Sequence, residues 1–202
     1  MLSYLDKKLF PDHIQVVELC DGRNVYLIHK NGSTTLNSIK KRNLTTDEIS
    51  RLEIIDIFVR DPYQRFLSGV MTYAKKIDVN VTDLSKIIND VHFINNHFSP
   101  QLFWVINLQR FTKATIRINH LDTLTDVTSI NRNKQLEYNE LDIYFNHNSN
   151  LKYYLELDCV LFENFINQTV TFADILTTLQ SNYTKLYNDT FGYTKILWNV
   201  LD

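Results

Sequence analysis

Residues 25–35 read VYLIHKNGSTT, an apolar run that leads into a short polar loop ending in three hydroxyl side chains. The run predicts a buried strand, Gly32 permits a tight turn, and Ser33, Thr34 and Thr35 predict the opening of a helix that begins near Leu36. The first amide groups of a helix lack partners within it and carry the positive end of its dipole. Together with Lys30, these amides and hydroxyls predict a binding site for an anion such as a phosphate.

A second segment of the chain has the same organisation. Residues 54–59 read IIDIFV, a nearly continuous apolar run that is typical of a central parallel strand covered on both faces. Arg60 follows this run, Asp61 is suited to capping a helix, and Pro62 is suited to the first helical position. Parallel strands joined through a helix bring both loops to the carboxyl edge of the sheet, where open α/β sheets bind ligands.

The two loops together resemble those of the sulfotransferases that use 3'-phosphoadenosine 5'-phosphosulfate (PAPS), and are most similar to the carbohydrate sulfotransferase branch. In that family a Pro-Lys-x-Gly-Ser-Thr-Thr loop holds the 5'-phosphosulfate, and an Arg-Asp-Pro-x-x-Arg-x-x-Ser segment holds the 3'-phosphate. Residues 30–35 match the first motif, with His29 where the family usually has proline, and residues 60–68 match the whole of the second. The chain looks like a compact soluble bacterial or viral member, without the membrane anchor of the animal Golgi enzymes.

This resemblance implies a fold, an activity and a donor site. The expected fold is a P-loop-like three-layer α/β fold, with a short central parallel β-sheet flanked by helices, in a single domain over residues 1–202. The expected activity is transfer of the sulfuryl group from PAPS to a hydroxyl acceptor, with a carbohydrate as the favoured acceptor and without a metal. The residues implied in donor binding are Lys30, Asn31, Gly32, Ser33, Thr34, Thr35, Arg60 and Ser68.

Two residues are assigned to catalysis. As the acceptor attacks sulfur in line, negative charge grows on the bridging oxygen of the departing 5'-phosphate, and Lys30 would stabilise that charge in the transition state. The acceptor hydroxyl needs a general base, and histidine titrates near neutral pH. His97 is the preferred base because residues 96–101, NHFSPQ, resemble the His-Trp/Phe-x-Pro-Gln loop of carbohydrate sulfotransferases.

Other residues stay open for these roles. His29 and His92 are alternative bases, and Glu48 and Glu53 are further ones because some members of the family use a glutamate. Arg65 matches the family motif, but an arginine in the first turns of a helix is more often a surface residue, and we favour that reading.

Composition and charge exclude several classes of protein. The chain has 21 basic and 23 acidic residues, which does not favour a general nucleic-acid binder or a basic membrane-surface protein. With Cys20 and Cys159 as the two cysteines, a disulfide framework and a cysteine-rich zinc site are excluded. The N-terminus lacks a signal-peptide pattern, and charges interrupt each apolar run before it reaches membrane-spanning length. We therefore expect a cytoplasmic protein whose partners are the donor and the acceptor, without nucleic acid or membrane.

The rest of the chain predicts further elements. The patterns predict strands at 14–19, 24–28, 114–118 and 157–162, and helices at 36–41, 62–77 and 170–187. The turn at residues 21–22 leaves open whether the first two strands form a hairpin. Thr45 and Glu48 form a capping-box pattern that predicts the start of a short helix. Phe103 and Trp104 follow the His97 loop and are candidates for stacking on adenine or lining the acceptor cleft, although aromatic residues are usually core.

Two alternative functions remain. One is a phosphotransferase that uses a nucleoside triphosphate, with Asp56 as a candidate magnesium ligand. The Gly-x-x-x-x-Gly-Lys-Ser/Thr loop is missing, since Lys30 precedes Gly32, and this disfavours it. The other is a non-catalytic nucleotide- or glycan-binding module on the same fold, which would bind 3',5'-phosphoadenosine without transferring sulfate.

Overall fold

A computed structural model of the chain describes residues 14–78, 100–124 and 149–184. In chain order, the elements are β1 (Val16–Leu19), β2 (Asn24–Tyr26), α1 (Ser33–Ser38), β3 (Lys40–Asn43), α2 (Thr46–Ser50), β4 (Ile54–Val59), α3 (Pro62–Ile77), α4 (Gln101–Gln109), β5 (Thr115–His120), a 3₁₀ turn (Leu121–Thr123), α5 (Ser149–Phe165), β6 (Gln168–Val170) and α6 (Phe172–Asn182). The predicted α/β class is confirmed at this level. The assignment of residues 1–202 to one domain stays a prediction.

The described strands form one six-stranded open sheet in the order β3-β1-β2-β4-β5-β6. The central strands β2, β4 and β5 are parallel, as expected for apolar strands covered on both faces. The outer strands β1, β3 and β6 run antiparallel to their neighbours, so the sheet is mixed rather than purely parallel. β1 and β2 do form a hairpin, and Gly22 in its turn has a φ of 87°, a conformation that suits glycine.

Several predicted elements are confirmed close to their expected positions. They are the strands at the start of the chain, the central strand β4, the strand β5 and the helices α3 and α6. The capping box is also present, because the Thr45 hydroxyl accepts from the Glu48 amide while the Glu48 carboxylate accepts from the Thr45 amide. These features depend on local patterns, which explains why they could be read from the sequence.

The predicted helix at 36–41 is wrong in its second half. Helix α1 ends at Ser38, and residues 40–43 form the edge strand β3, paired with β1. Lys41 and Arg42 form ion pairs with Glu18 of β1, at 2.6 and 2.8 Å. The basic residues therefore form an edge strand next to the acidic Glu18, instead of ending a helix. Charged side chains on an edge strand also discourage pairing with other chains.

The predicted strand at 157–162 is also wrong, because these residues lie inside α5. A short apolar run does not distinguish a buried strand from a buried helix. Helix α4 was not predicted at all. Each residue from Gln101 to Leu108 is buried, so the helix has no polar face that would produce an amphipathic pattern.

The core lies on both faces of the sheet. On one face, β4 and β5 pack against α4, α5 and α6, with Phe66 of α3 in the same cluster. On the other face, a smaller cluster contains Leu36 of α1 together with Leu121 and Leu124. The helices that follow β2 and β4 thus pack on opposite faces, an arrangement in which open α/β sheets bind ligands at the carboxyl edge between the two loops. No helix within 14–78, 100–124 or 149–184 has the length and apolar character needed to cross a membrane.

Candidate anion site at the carboxyl edge of the sheet

The loops after β2 and β4 are neighbours, as the sequence predicts. The two strands are parallel and adjacent, with Tyr26 opposite Ile57. One loop therefore carries residues 27–32 and the other carries residues 60 and 61, and both lie at the same edge of the sheet. The register brings together the two segments that the sequence motifs single out.

The β2–α1 loop makes a tight turn through two left-handed residues. Lys30 has a φ of 70° and Gly32 a φ of 72°. The positive φ of Gly32 favours glycine, and a Cβ atom there would lie 2.8 Å from the Leu121 Cδ1 atom, so the Leu121 side chain would have to move. Gly32 is also the N-cap of α1 and provides no side-chain cap, so the amides of residues 33–35 lack partners within the helix. Ser33 and Thr35 are partly buried here, and Thr34 is exposed.

Asn31 points into the protein, with 1% of its surface exposed. Its Nδ2 atom donates to the Phe58 carbonyl at 2.8 Å and to the Gln101 Oε1 atom at 2.5 Å. Its backbone amide donates to the Ile28 carbonyl at 3.1 Å. The Asn31 side chain therefore joins this loop to β4 and α4, and its position does not favour the direct donor contact that the family motif implies.

The β4–α3 loop is held at Arg60. The Arg60 amide donates to the Gln101 Oε1 atom at 2.8 Å, and the Arg60 carbonyl accepts from Gln101 Nε2 at 3.0 Å. Asp61 caps α3 as predicted, since its Oδ1 atom accepts from the Gln64 amide at 2.9 Å. The Gln101 side chain therefore holds the Arg60 backbone through both its N–H and its C=O group.

Lys30 lies in a positively charged environment. Its Nζ atom donates to the Thr72 hydroxyl at 2.5 Å, and that hydroxyl donates to the Ser68 carbonyl at 2.9 Å. Partial burial of the ammonium group, followed by the nearby charges of Arg65 and Arg60, lowers the pKa of Lys30 from 10.5 to about 8. The Lys30 ammonium group therefore lies close enough to Arg60 and Arg65 to be repelled by both, and an anion bound next to it would offset that repulsion.

Arg65 is not the surface residue that we favoured. Its side chain is 1% exposed, and its Nη1 atom lies 3.3 Å from Oδ2 of Asp158, which is equally buried. The Nη2 atom donates to the His29 carbonyl at 3.2 Å. The other carboxylate oxygen of Asp158 accepts from the Gln101 amide at the start of α4. Burial raises the pKa of the Asp158 carboxyl, and the Arg65 charge and the Gln101 amide offset part of that effect.

Sequence reasoning missed both Asp158 and Gln101 as site residues. Asp158 had a signal, because it is the one charged residue in the apolar run LDCVLF at 157–162. A charge in such a run must find a partner when the run is buried. Gln101 had been noted only as the end of the motif that contains His97.

The other candidates fall into two groups. His97 and His92 lie outside the described residues. His29 is partly buried and its ring lies 4.9 Å from the Trp104 ring, measured between centroids. Trp104 and Phe103 are buried in the core, at 1% and 0% exposure, which does not favour stacking on a nucleotide.

The two glutamate candidates lie away from the loops. Glu48 belongs to α2, and Glu53 directly precedes β4, so both are near the amino end of that strand. A strand of this length spans roughly 20 Å. The Glu48 carboxylate is also engaged by the Thr45 amide and by Arg42, which lower its pKa to about 2. Neither residue is placed to act as a base at the carboxyl edge.

Asp56 is the residue that the sequence offers as a magnesium ligand. Among the described residues, no group of three or more His, Cys, Asp or Glu side chains could hold a metal ion. Asp56 is 3% exposed, forms an ion pair with Arg117 at 3.3 Å and accepts from Asn119 at 2.8 Å. Because Arg117 and Asn119 already contact the Asp56 carboxylate within the sheet, its position does not favour a role as a magnesium ligand.

No protein-family model, no curated protein and no solved structure matches the chain.

Proposed function

We propose that this chain is a sulfotransferase with a P-loop-like fold, which transfers the sulfuryl group of PAPS to a hydroxyl group, with a carbohydrate as the acceptor. One observation carries the proposal: Lys30 and Arg60 lie close together at the carboxyl edge of two adjacent parallel strands. These residues come from the two motifs that resemble the family's phosphate-binding segments. Open α/β sheets bind ligands at this edge.

The electrostatics of Lys30 support binding of an anionic donor. Burial and the nearby charges of Arg65 and Arg60 disfavour the charged form of the Lys30 ammonium group, and an anion bound next to it would stabilise that form. A phosphate group among these cations would restore a pKa closer to that of an ordinary lysine. The amides at the start of α1, which lack partners within the helix, are further hydrogen-bond donors for the same group.

Lys30 then has a clear role in the reaction. In the proposed step, an acceptor oxygen attacks sulfur as the bond from sulfur to the bridging oxygen breaks, which releases 3',5'-phosphoadenosine. Lys30 stabilises the charge that forms on that oxygen, and such stabilisation lowers the barrier because the charge develops in the transition state. Arg60 holds the 3'-phosphate, for which its guanidinium is well suited.

His97 is proposed as the base that accepts the proton of the acceptor hydroxyl. His97 is four positions before Gln101 in the chain, a length that reaches at most about 14 Å. Since Gln101 contacts both loops, this connection is short enough for His97 to serve the same site. A phosphotransferase is less well supported, because Asp56 is occupied by Arg117 and Asn119.

The test combines transfer and binding measurements. Labelled PAPS is incubated with a panel of glycans, tyrosyl peptides and small alcohols, and binding of 3',5'-phosphoadenosine is followed by calorimetry. We expect transfer to a glycan, a much lower turnover in Lys30→Ala, and a loss of about 1.5 to 3 kcal/mol in nucleotide affinity in Arg60→Ala.

Matched controls make this test specific. Lys113→Ala and Arg51→Ala remove exposed side chains away from the site and should leave both quantities unchanged. Nucleotide binding without transfer to any acceptor would instead favour the non-catalytic binding module. Absence of nucleotide binding in the unaltered protein would refute the sulfotransferase proposal.

A further inference from the structure

Gln101 connects the two loops through a single side-chain amide. Its Oε1 atom accepts from the Arg60 amide and from Asn31 Nδ2, and its Nε2 atom donates to the Arg60 carbonyl. Two of these partners belong to the loop after β4 and one to the loop after β2. The side chain is fully buried, so these hydrogen bonds form without competition from water.

The partners also define how both amide groups are oriented. Asn31 Nδ2 must be the nitrogen, because it faces two acceptors, the Phe58 carbonyl and Gln101 Oε1. Gln101 Oε1 must be the oxygen, because it faces a backbone N–H. Rotating either amide by 180° would place like groups against each other. The arrangement is therefore specific to amide side chains at these positions.

A buried ion pair completes the connection. Asp158 accepts from the Gln101 backbone amide and pairs with Arg65, and Arg65 donates to the His29 carbonyl. His29 and Asn31 flank Lys30 in the chain, so Lys30 lies between two residues that this network holds. Arg60 is held through its own backbone by Gln101.

We propose that Gln101 is a positioning residue that sets the separation of Lys30 and Arg60, with Asp158 and Arg65 fixing Gln101 and the Lys30 loop in turn. The proposal rests on the proposed function for its ligand, 3',5'-phosphoadenosine, whose two phosphates would each contact one loop. A ligand that contacts both loops at once gains affinity only when their separation is correct. A ligand with one phosphate does not depend on that separation.

This difference provides a test that a purely structural role would not satisfy. Gln101→Met keeps the length of the side chain and removes its hydrogen bonds. We expect its affinity for 3',5'-phosphoadenosine to fall by about tenfold or more. A shift of roughly 1 Å in the position of one loop relative to the other is enough for a loss of this size. Its affinity for 5'-AMP, measured by competition, should change by less than about twofold, since one phosphate contacts one loop. Equal losses for the two nucleotides would overturn the proposal.

The control is Asn107→Leu, which removes another buried amide from the same helix. The Asn107 Oδ1 atom accepts from Arg110 at the end of α4, and the Asn107 side chain also interacts with the Tyr26 hydroxyl of β2, nearly two turns of helix from Gln101. We expect Asn107→Leu to lower the melting temperature without changing the ratio of the two affinities. A change of that ratio as large as in Gln101→Met would overturn the proposal. If Gln101→Met does not fold, Gln101→Asn is used instead. Its side chain keeps an amide group but is one methylene too short to reach Asn31 and the Arg60 backbone.

A second readout needs no ligand, and it separates this proposal from the proposed function. The Asn31 amide, bonded to the Ile28 carbonyl, and the Arg65 amide, bonded to the Asp61 carbonyl, report on the two loops by hydrogen exchange. Both should exchange faster in Gln101→Met than in Asn107→Leu. Unchanged exchange at both amides would overturn the positioning role. Absence of nucleotide binding in the unaltered protein, with exchange altered as expected, would refute the sulfotransferase and leave Gln101 as the residue that fixes the loops.

Discussion

Removal of the Asp158 carboxylate should be the most damaging single change in this region. In Asp158→Ala, the Arg65 guanidinium stays buried at 1% exposure but loses its counter-charge. Breaking a buried pair in this way typically costs about 3 to 5 kcal/mol, because the remaining charge is no longer compensated. The Gln101 amide loses its acceptor as well. For a chain of this size, the same loss corresponds to a decrease of roughly 6 to 20 °C in melting temperature.

Urea unfolding of Asp158→Ala, followed by circular dichroism, measures this loss directly. Asp21→Ala is the matched control, since Asp21 pairs with Arg23 in an exposed turn. That pair should contribute about 1 kcal/mol or less. A double variant, Arg65→Met with Asp158→Leu, should recover most of the lost stability, because apolar side chains often replace a buried ion pair at little cost.

A small effect would refute this reasoning. If Asp158→Ala and Asp21→Ala destabilise the protein equally, the Arg65–Asp158 pair is not buried as described. A double variant as unstable as Asp158→Ala would show that the loss comes from packing or from the Gln101 amide, and not from the uncompensated charge of Arg65.

Three further predictions concern the loops and the base. Because the pKa of Lys30 is about 8 in the folded protein and 10.5 as its ordinary value, the folded state binds fewer protons between these pH values, so stability should rise with pH across that window. Urea midpoints of the unaltered protein and Lys30→Met at pH 7.5 and 10 check this, and equal pH dependence in both would contradict it. Gly32→Ala should cost about 1 to 3 kcal/mol through its positive φ, and more than Gly22→Ala, which meets no atom within 4 Å; equal losses in thermal unfolding would count against the contact with Leu121. His97→Ala should abolish sulfate transfer while calorimetry shows retained nucleotide binding, and full activity would assign the base to another residue.

Much of the local structure could be predicted from the sequence because its causes are local. Hydrophobic runs predicted β4 and the early strands, and capping residues predicted the starts of α2 and α3. Gly32 was correctly predicted to allow a turn, since few other residues adopt a positive φ at low cost. The parallel arrangement of β2 and β4 was expected from their apolar character and from a helical connection, and the connection contains α1, β3 and α2.

Helix α5 and the edge strand β3 could not be predicted in this way. An apolar run at 157–162 fits a strand or a buried helix equally well, and only packing against the sheet selects the helix. Residues 40–43 are basic enough for a helix end, yet they pair with β1, where Lys41 and Arg42 form ion pairs with Glu18. In both cases a distant partner outweighs the local pattern.

The chain by itself determined the chemistry available at the carboxyl edge, namely Lys30, Gly32 and Arg60 on two strand-end loops. The tertiary structure decided which side chains hold those loops and which face outward. Arg65 and Asp158 are 93 positions apart in the chain, and Asn31 and Gln101 are 70 positions apart. Such pairs form because buried charges and amides must find partners in space, and no pattern within one segment reveals which distant residue will supply them.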